Sequence, residues 1–159
     1  MKRMNHWKTA FTLLEVIVVT VVIGILAAMV VPKFADARND TSVAATSEDL
    51  HAIANALSMY MAGHGSYPVD VGRTQVVSVL IPYFKSDNPF SKTAPIGGAY
   101  DYEGPPNWNP VQISIRKNGS NAYTDEMALR LDEYMDDGNL NTGKIKLVGN
   151  RISYDIDGH

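Results

Sequence analysis

Oxygen-bearing side chains cluster between residues 136 and 141, where they could bind a hard cation. The candidate ligands are Asp136, Asp137, Asn139 and Asn141. Carboxylate and amide oxygens of this kind are the ligands that Ca²⁺ prefers in proteins. The segment is not an EF-hand loop, because Thr142 and Val148 occupy the positions that require Gly and Glu. The pattern therefore predicts either a calcium site or a solvated acidic turn, and both interpretations stay open.

Other patterns in the chain do not predict an enzyme. The segment GNLNTGKI, residues 138–145, nearly matches a phosphate-binding loop, but Ile145 stands where a metal-binding hydroxyl is required. An acidic helix end precedes it instead of a strand. The four histidines show no spacing typical of a metal site or a catalytic triad, and the chain has no cysteine. We therefore expect a non-catalytic protein.

A different chemical role is open to Glu15, which lies inside the apolar run of residues 11–31. About 21 apolar residues are enough for a helix that crosses a hydrocarbon core about 30 Å thick. A carboxylate in such a span is costly without a partner, and the span contains no Lys or Arg. We therefore expect its partner on another chain, which indicates assembly.

Charges around the run predict its orientation. Three cations precede the run: Lys2, Arg3 and Lys8. The chain after Pro32 is acidic and the formal net charge is −3, so the positive-inside rule predicts a cytoplasmic N-terminus. A secretory signal cleaved after Ala37 is the competing interpretation, but the run is long for a signal and contains Glu15. The acidic surface also predicts no nucleic-acid partner.

The remaining elements are predicted to form a helical stalk and a small α/β head. Apolar residues after Pro32 recur at spacings of three, four and seven, which predicts that the helix continues to about residue 62, with residues 39–49 as its weakest part. The predicted buried stripe comprises Phe34, Val43, Leu50, Ile53, Ala54, Leu57, Tyr60 and Met61. In the head, residues 73–84 fit either a short helix or a strand, and we favour the helix. We expect strands at 99–103 and 111–117, a helix within 123–137 with Gly138 after it, and a hairpin of 144–148 with 151–155.

The segment FTLLEVIVVTVVIGILAAMVVPKF, residues 11–34, closely resembles the N-terminal signature of type IV pilins and of the pseudopilins of type II secretion. With Phe11 as the first mature residue, the Glu, Gly and Pro of that signature fall on Glu15, Gly24 and Pro32. The resemblance covers about 25 of the 159 residues. It implies an α+β pilin-like fold, in which a long membrane-spanning helix continues into a small head with antiparallel strands.

The resemblance also implies how the chain is processed and assembled. A prepilin peptidase would remove residues 1–10 as a leader by cleaving between Ala10 and Phe11, and would methylate the new amine of Phe11. The family usually has Gly before the cut, where this chain has Ala10. Glu15 would then pair with the ammonium group of a neighbouring subunit, within an assembly segment that contains Gly24 and Pro32. Residues 11–31 would form the transmembrane segment, 32–62 the stalk and 63–159 the head.

The function that the resemblance implies is that of a structural subunit in a pilus-like filament. The layout most resembles a major pseudopilin of type II secretion, which supports protein export. The alternatives are a type IV pilin for adhesion, motility or DNA uptake, and a monomeric membrane-anchored or secreted binding domain. Expected partners are the peptidase, other copies, other pilin-like subunits, inner-membrane assembly proteins and the lipid bilayer. Major pseudopilins often bind Ca²⁺ in a C-terminal loop, which favours the calcium interpretation of residues 136–141.

Overall fold

The computed structural model describes residues 11–72, 78–85 and 87–157. The chain forms two compact units, one ending at Arg38 and the other beginning at Asn39. Helix α1, Leu13–His64, contributes to both. Residues 39–49, which the sequence marks as the weakest part of this helix, are helical in the structure.

Helix α1 begins and ends where local chemistry predicts. Pro32 lies inside it without ending it. Its C-terminus is marked by Gly65, which has a φ of +74° and donates its backbone N–H to Met61 O at 2.8 Å. A glycine in the left-handed region just after the last helical residue is a common helix terminator, because it has no Cβ to oppose that conformation. The helix therefore ends within the predicted GHGSYP segment.

The buried stripe of α1 is shorter than the sequence predicts. Val43, Leu50, Ile53 and Leu57 are buried and belong to the main hydrophobic core. The prediction was wrong for Phe34, which is 71 % exposed, and for Met61, which is 40 % exposed. Helical spacing places residues on one face, but that face is buried only where another element packs against it.

Four strands form one antiparallel sheet. The strands are β1 Ala99–Glu103, β2 Gln112–Arg116, β3 Ile145–Val148 and β4 Arg151–Asp155. Their order in the sheet is β1-β2-β4-β3. The β3–β4 hairpin turns at Gly149 and Asn150, as predicted, and Gly149 has the positive φ of +62° that such two-residue turns require.

The two faces of the sheet differ because side chains alternate along each strand. Tyr100 lies opposite Ile115, and Tyr102 lies opposite Ile113. These four side chains are buried in the same core as the stripe of α1. Charged residues occupy the other face, and they include the final residue of β1, Glu103.

Glu103 is the centre of an ion-pair network on that polar face. Its Oε1 accepts hydrogen bonds from Arg151 Nη1 at 2.7 Å and from Ser114 Oγ at 3.2 Å, and it also pairs with the Arg116 guanidinium. Arg116 Nε contacts Asp101 Oδ2 at 2.5 Å. The Glu103 and Asp101 side chains are almost fully buried. A buried carboxylate is tolerated when it is paired and hydrogen-bonded in this way.

Helix α2, Asp125–Met135, connects β2 to β3. The Thr124 side chain caps its N-terminus by accepting a hydrogen bond from Met127 N at 3.2 Å. Three 3₁₀ segments complete the described head: Ser78–Tyr83, Pro89–Ser91 and Gly119–Asn121. Residues 73–77 of the predicted short helix lie outside the described residues. The remainder, Ser78–Tyr83, is a 3₁₀ segment that contains Pro82, so the predicted α-helix is not formed there.

Candidate functional site

The N-terminal part of α1 is the first candidate site. By length and composition, α1 is the one helix in the described residues that could cross a membrane, and none of its most apolar stretch is buried. Phe11, the expected first mature residue, is exposed, whereas Ala10 lies outside the described residues. The large exposed apolar surface predicts that a lipid bilayer or another chain covers this segment.

Glu15 has a local role that sequence reasoning missed. Its Oε2 accepts a hydrogen bond from Thr12 N at 3.3 Å, and Glu15 N donates to Thr12 Oγ1 at 3.2 Å. This reciprocal pair is a capping box, and its sequence signal is a Thr followed three residues later by a Glu. Glu15 therefore caps the helix within its own chain. A cap uses the carboxylate as an acceptor but leaves its charge without a cationic partner in the described chain.

Gly24 and Pro32 lie farther along the same helix. A Cβ placed on Gly24 would contact nothing within 4 Å in the single chain, so a packing role for this glycine requires a neighbouring molecule. Pro32 is accommodated within the helix. The structure thus places Glu15, Gly24 and Pro32 on one exposed, largely apolar helix.

The second candidate is an acidic site where α2 ends. One carboxylate oxygen from each of Asp132, Asp136 and Asp137 lies within 4.8 Å of the others. Asp136 accepts hydrogen bonds from Ile145 N at 2.9 Å and from Lys144 N, so it joins the end of α2 to the start of β3. Two of the four predicted ligands, Asp136 and Asp137, therefore belong to this cluster.

Loop hydrogen bonds hold the remaining predicted ligands. Asp137 accepts from Asn139 N at 2.9 Å and from Thr142 Oγ1 at 2.7 Å. Asn139 Oδ1 accepts from Asn141 N at 3.2 Å. The glycine at position 143, with a φ of +71°, leaves room for the Asp136 carboxylate, which a Cβ there would overlap. The loop is thus shaped around the two adjacent aspartates.

Asp132 is the member of the acidic site that sequence reasoning missed. It is fully buried, and neither of its carboxylate oxygens has a hydrogen-bond partner among the described residues. Burial, followed by the nearby charges of Asp137 and Asp136, raises the pKa of Asp132 to about 6. The available signal was its position four residues before Asp136, which places both on one helix face.

The chemistry of the acidic site fits a cation. Three carboxylates repel one another, and a buried, unpartnered carboxylate is costly. Since the pKa of Asp132 is higher in the folded chain than its ordinary value of 3.8, its charged form destabilises the fold above about pH 6. That cost disappears as the pH falls towards 4. A bound divalent ion would remove the same cost at neutral pH.

Comparisons with known proteins agree on one group of relatives. No protein-family model matches the chain. It is 43 % identical over 61 residues to the type II secretion system core protein G of Pseudomonas aeruginosa, a match covering 38 % of this chain and 43 % of the relative. The protein of the same name from Klebsiella michiganensis is 30 % identical over 111 residues, or 65 % of this chain and 78 % of the relative.

The extent of these matches varies. The protein of that name from Vibrio cholerae is 43 % identical over 68 residues, covering 43 % of this chain and 46 % of the relative. The chain therefore spans less than half the length of the Pseudomonas and Vibrio relatives that it matches. Among solved structures, the major type IV pilin PilA1 from Clostridium difficile superposes with a TM-score of 0.53 at 20 % identity. That match covers 74 % of this chain and 96 % of the pilin, which shows a shared fold.

Proposed function

The chain belongs to the family of the type II secretion system core protein G, and we propose that it is a structural, non-catalytic pseudopilin subunit of a filament that supports protein export. The observation that carries this proposal is the exposed apolar segment of α1, residues 13–31, in which Glu15 is the one acidic residue. Such a helix is costly in water, and its carboxylate is costly in a bilayer. Both costs fall when helices bundle and each carboxylate meets a cation.

The proposed assembly begins with a single-pass protein whose N-terminus is cytoplasmic and whose head is periplasmic. A prepilin peptidase cleaves between Ala10 and Phe11 and methylates Phe11. The new ammonium group of one subunit then pairs with Glu15 of the next, which sets the register between parallel helices. Copies added head-to-tail without closure form a helical filament, together with other pilin-like subunits and inner-membrane assembly proteins.

The mass of the mature chain tests the processing steps. We expect the native protein, purified from membranes, to lack residues 1–10 and to carry one added methyl group on Phe11. Intact-protein mass spectrometry with N-terminal fragmentation measures both changes. A chain that begins at Met1, or one cut after Ala37, has no charged amine beside Glu15 of a neighbour and would contradict the proposal.

A type IV pilin is the second candidate function. It is favoured by the shared fold with the Clostridium difficile pilin. Both candidates use the same apolar helix and the same carboxylate, so they differ in what the filament serves. Deletion of the chain distinguishes them: loss of export with surface adhesion and motility intact supports the pseudopilin, and the reverse result supports the pilin.

We propose that the acidic site binds Ca²⁺ through Asp132, Asp136 and Asp137. Asn139 and Asn141 would shape the loop through their mutual hydrogen bonds. The ion would neutralise the repelling carboxylates, and it would strengthen the connection between α2 and β3 that Asp136 already makes. Its role here is structural, as a staple in a head that has no disulfide.

Asp132→Asn should separate the cost of the buried carboxylate from the benefit of the ion. In the wild-type chain in detergent, Ca²⁺ at about 100 times its Kd should add about 2.7 kcal/mol of stability, and so raise the Tm by several degrees. The variant should show no rise, yet in EDTA at pH 7 it should melt no lower than wild type, because the amide removes the buried charge. Circular dichroism melts measure both effects.

Asp125→Asn is the matched control, since Asp125 is an acidic residue of the same helix outside the cluster. It should keep the calcium-dependent rise. An equal rise in Asp132→Asn, or no rise in the wild type, would exclude the acidic site as a calcium site.

A further inference from the structure

A large groove lies between α1 and α2, within the unit that begins at Asn39. We name it the α2 groove, and its volume is about 770 Å³. Val43 lies on its α1 side, and Leu129 and Tyr134 lie on its α2 side. Leu129 is 37 % exposed and Tyr134 is 62 % exposed. The groove therefore presents apolar surface that a partner could cover.

The charges of the α2 groove select a cationic partner. Its carboxylates come from Asp40, Glu126 and Glu133. Arg130 contacts Asp40 Oδ1 and Glu126 Oε1, each at 3.2 Å. Three carboxylates and one guanidinium leave two negative charges in excess. An occupant that combines an apolar side chain with a cation would match both the apolar and the acidic parts of the groove.

The same chain carries a segment of that chemistry. Phe34 and Arg38 are both exposed on α1. Because they are four residues apart in a helix, their side chains lie on one face. Phe34, like Met61, is exposed although the sequence predicts it in the buried stripe. A second copy of the chain can therefore offer an aromatic ring and a guanidinium from one helix face.

The stagger between copies places Arg38 of a neighbour at the height of the groove, a step that rests on the proposed function. If Glu15 of one copy pairs with Phe11 of its neighbour, the parallel helices are offset by four residues, or about 6 Å. The neighbour's Arg38 then lies level with Ser42, between Asp40 and Val43 of the first copy. We propose that the α2 groove receives the Phe34 and Arg38 face of a second copy of this chain.

Cysteine cross-linking tests the contact in the full chain, which has no native cysteine. We would assemble filaments from chains carrying both Arg38→Cys and Glu133→Cys, oxidise them mildly and separate them on a non-reducing gel. We expect a ladder of covalent multimers, because each copy is joined through position 133 to one neighbour and through position 38 to another. Each single variant can at most form a dimer. The control pairs Arg38→Cys with Lys146→Cys, an exposed residue of β3, and should give no ladder.

The second test measures filament yield after the charges at positions 38 and 133 are reversed. Arg38→Glu should lower filament yield about ten-fold, because it places a like charge against the groove. Adding Glu133→Arg to Arg38→Glu should restore at least half of the wild-type yield. A defect that came only from misfolding would not be rescued in this way.

Three results would overturn the proposal. The first is that the chain with both Arg38→Cys and Glu133→Cys forms filaments at wild-type yield but gives no ladder. The second is that the control chain with Arg38→Cys and Lys146→Cys gives an equal ladder. The third is a cross-link from position 133 to a different protein in place of a second copy. If the wild-type chain forms no filament at all, the proposed function fails as well, and the wild-type yield by electron microscopy distinguishes that result from failure of the groove alone.

Discussion

Replacing Glu15 by alanine is expected to abolish filament formation while the chain still inserts into the membrane. Insertion depends on the apolar run, which the change makes more apolar. Assembly depends on a charge pair that is favourable where two costly charges meet in a medium of low dielectric. Membrane fractionation measures insertion, and electron microscopy of sheared material measures filament yield, which should fall at least about 100-fold.

The capping box provides two controls that separate charge from helix capping. Glu15→Gln keeps an acceptor for Thr12 N but removes the charge, and Gln suits the last position of a capping box. Thr12→Ala removes the cap but keeps the charge, at a cost of about 1 kcal/mol in helix stability. We expect Glu15→Gln to lose filaments and Thr12→Ala to retain them. The opposite pattern would show that Glu15 acts as a cap and not as a partner between subunits.

Glu103→Gln is expected to destabilise the head by about 3–5 kcal/mol, because removing one member of a buried charge network leaves the remaining charges uncompensated. Arg151 loses its carboxylate partner, while Arg116 keeps its contact with Asp101. Arg151 also lies over the Trp108 ring, 4.4 Å from its centroid, which holds the guanidinium away from water. A thermal melt of the full chain in detergent should show a Tm lower by more than about 10 °C.

The control for this prediction is an exposed ion pair in the same head. Lys117 Nζ contacts Asp125 Oδ1 at 2.7 Å, and the Asp125 side chain is 70 % exposed. Asp125→Asn should cost less than about 1 kcal/mol, because solvent screens exposed pairs. Equal Tm changes in the two variants would show that the buried network contributes no more than a surface pair.

Features governed by near neighbours could be predicted from the sequence. Strand β1 occupies the predicted residues, and the β3–β4 hairpin turns at the predicted Gly149 and Asn150. Helix α1 has the predicted extent to within two residues at its C-terminus. The pilin-like fold is confirmed by the solved structure that the chain resembles. Periodicity, caps and turn glycines act over a few residues, so they can be detected without knowledge of the tertiary fold.

Features that join distant residues could not be predicted in this way. Glu103 meets Arg151 across 48 residues of sequence, because the order β1-β2-β4-β3 places β4 next to β2. The exposure of Phe34 and Met61 depends on which stretch of α1 other elements cover. The burial of both Asp132 carboxylate oxygens without a hydrogen-bond partner among the described residues depends on the packing around them.

The sequence alone determined the apolar span, its single carboxylate, the signature that runs from Phe11 to Pro32, and the local helices and turns, since each follows from the chemistry of adjacent residues. Only the tertiary structure decided which acidic residues gather at the end of α2, which charges are buried together on the sheet, and where a groove opens between α1 and α2. The physical reason is that burial and long-range pairing are properties of the packed chain: the same side chain is favourable or costly according to what the fold places beside it.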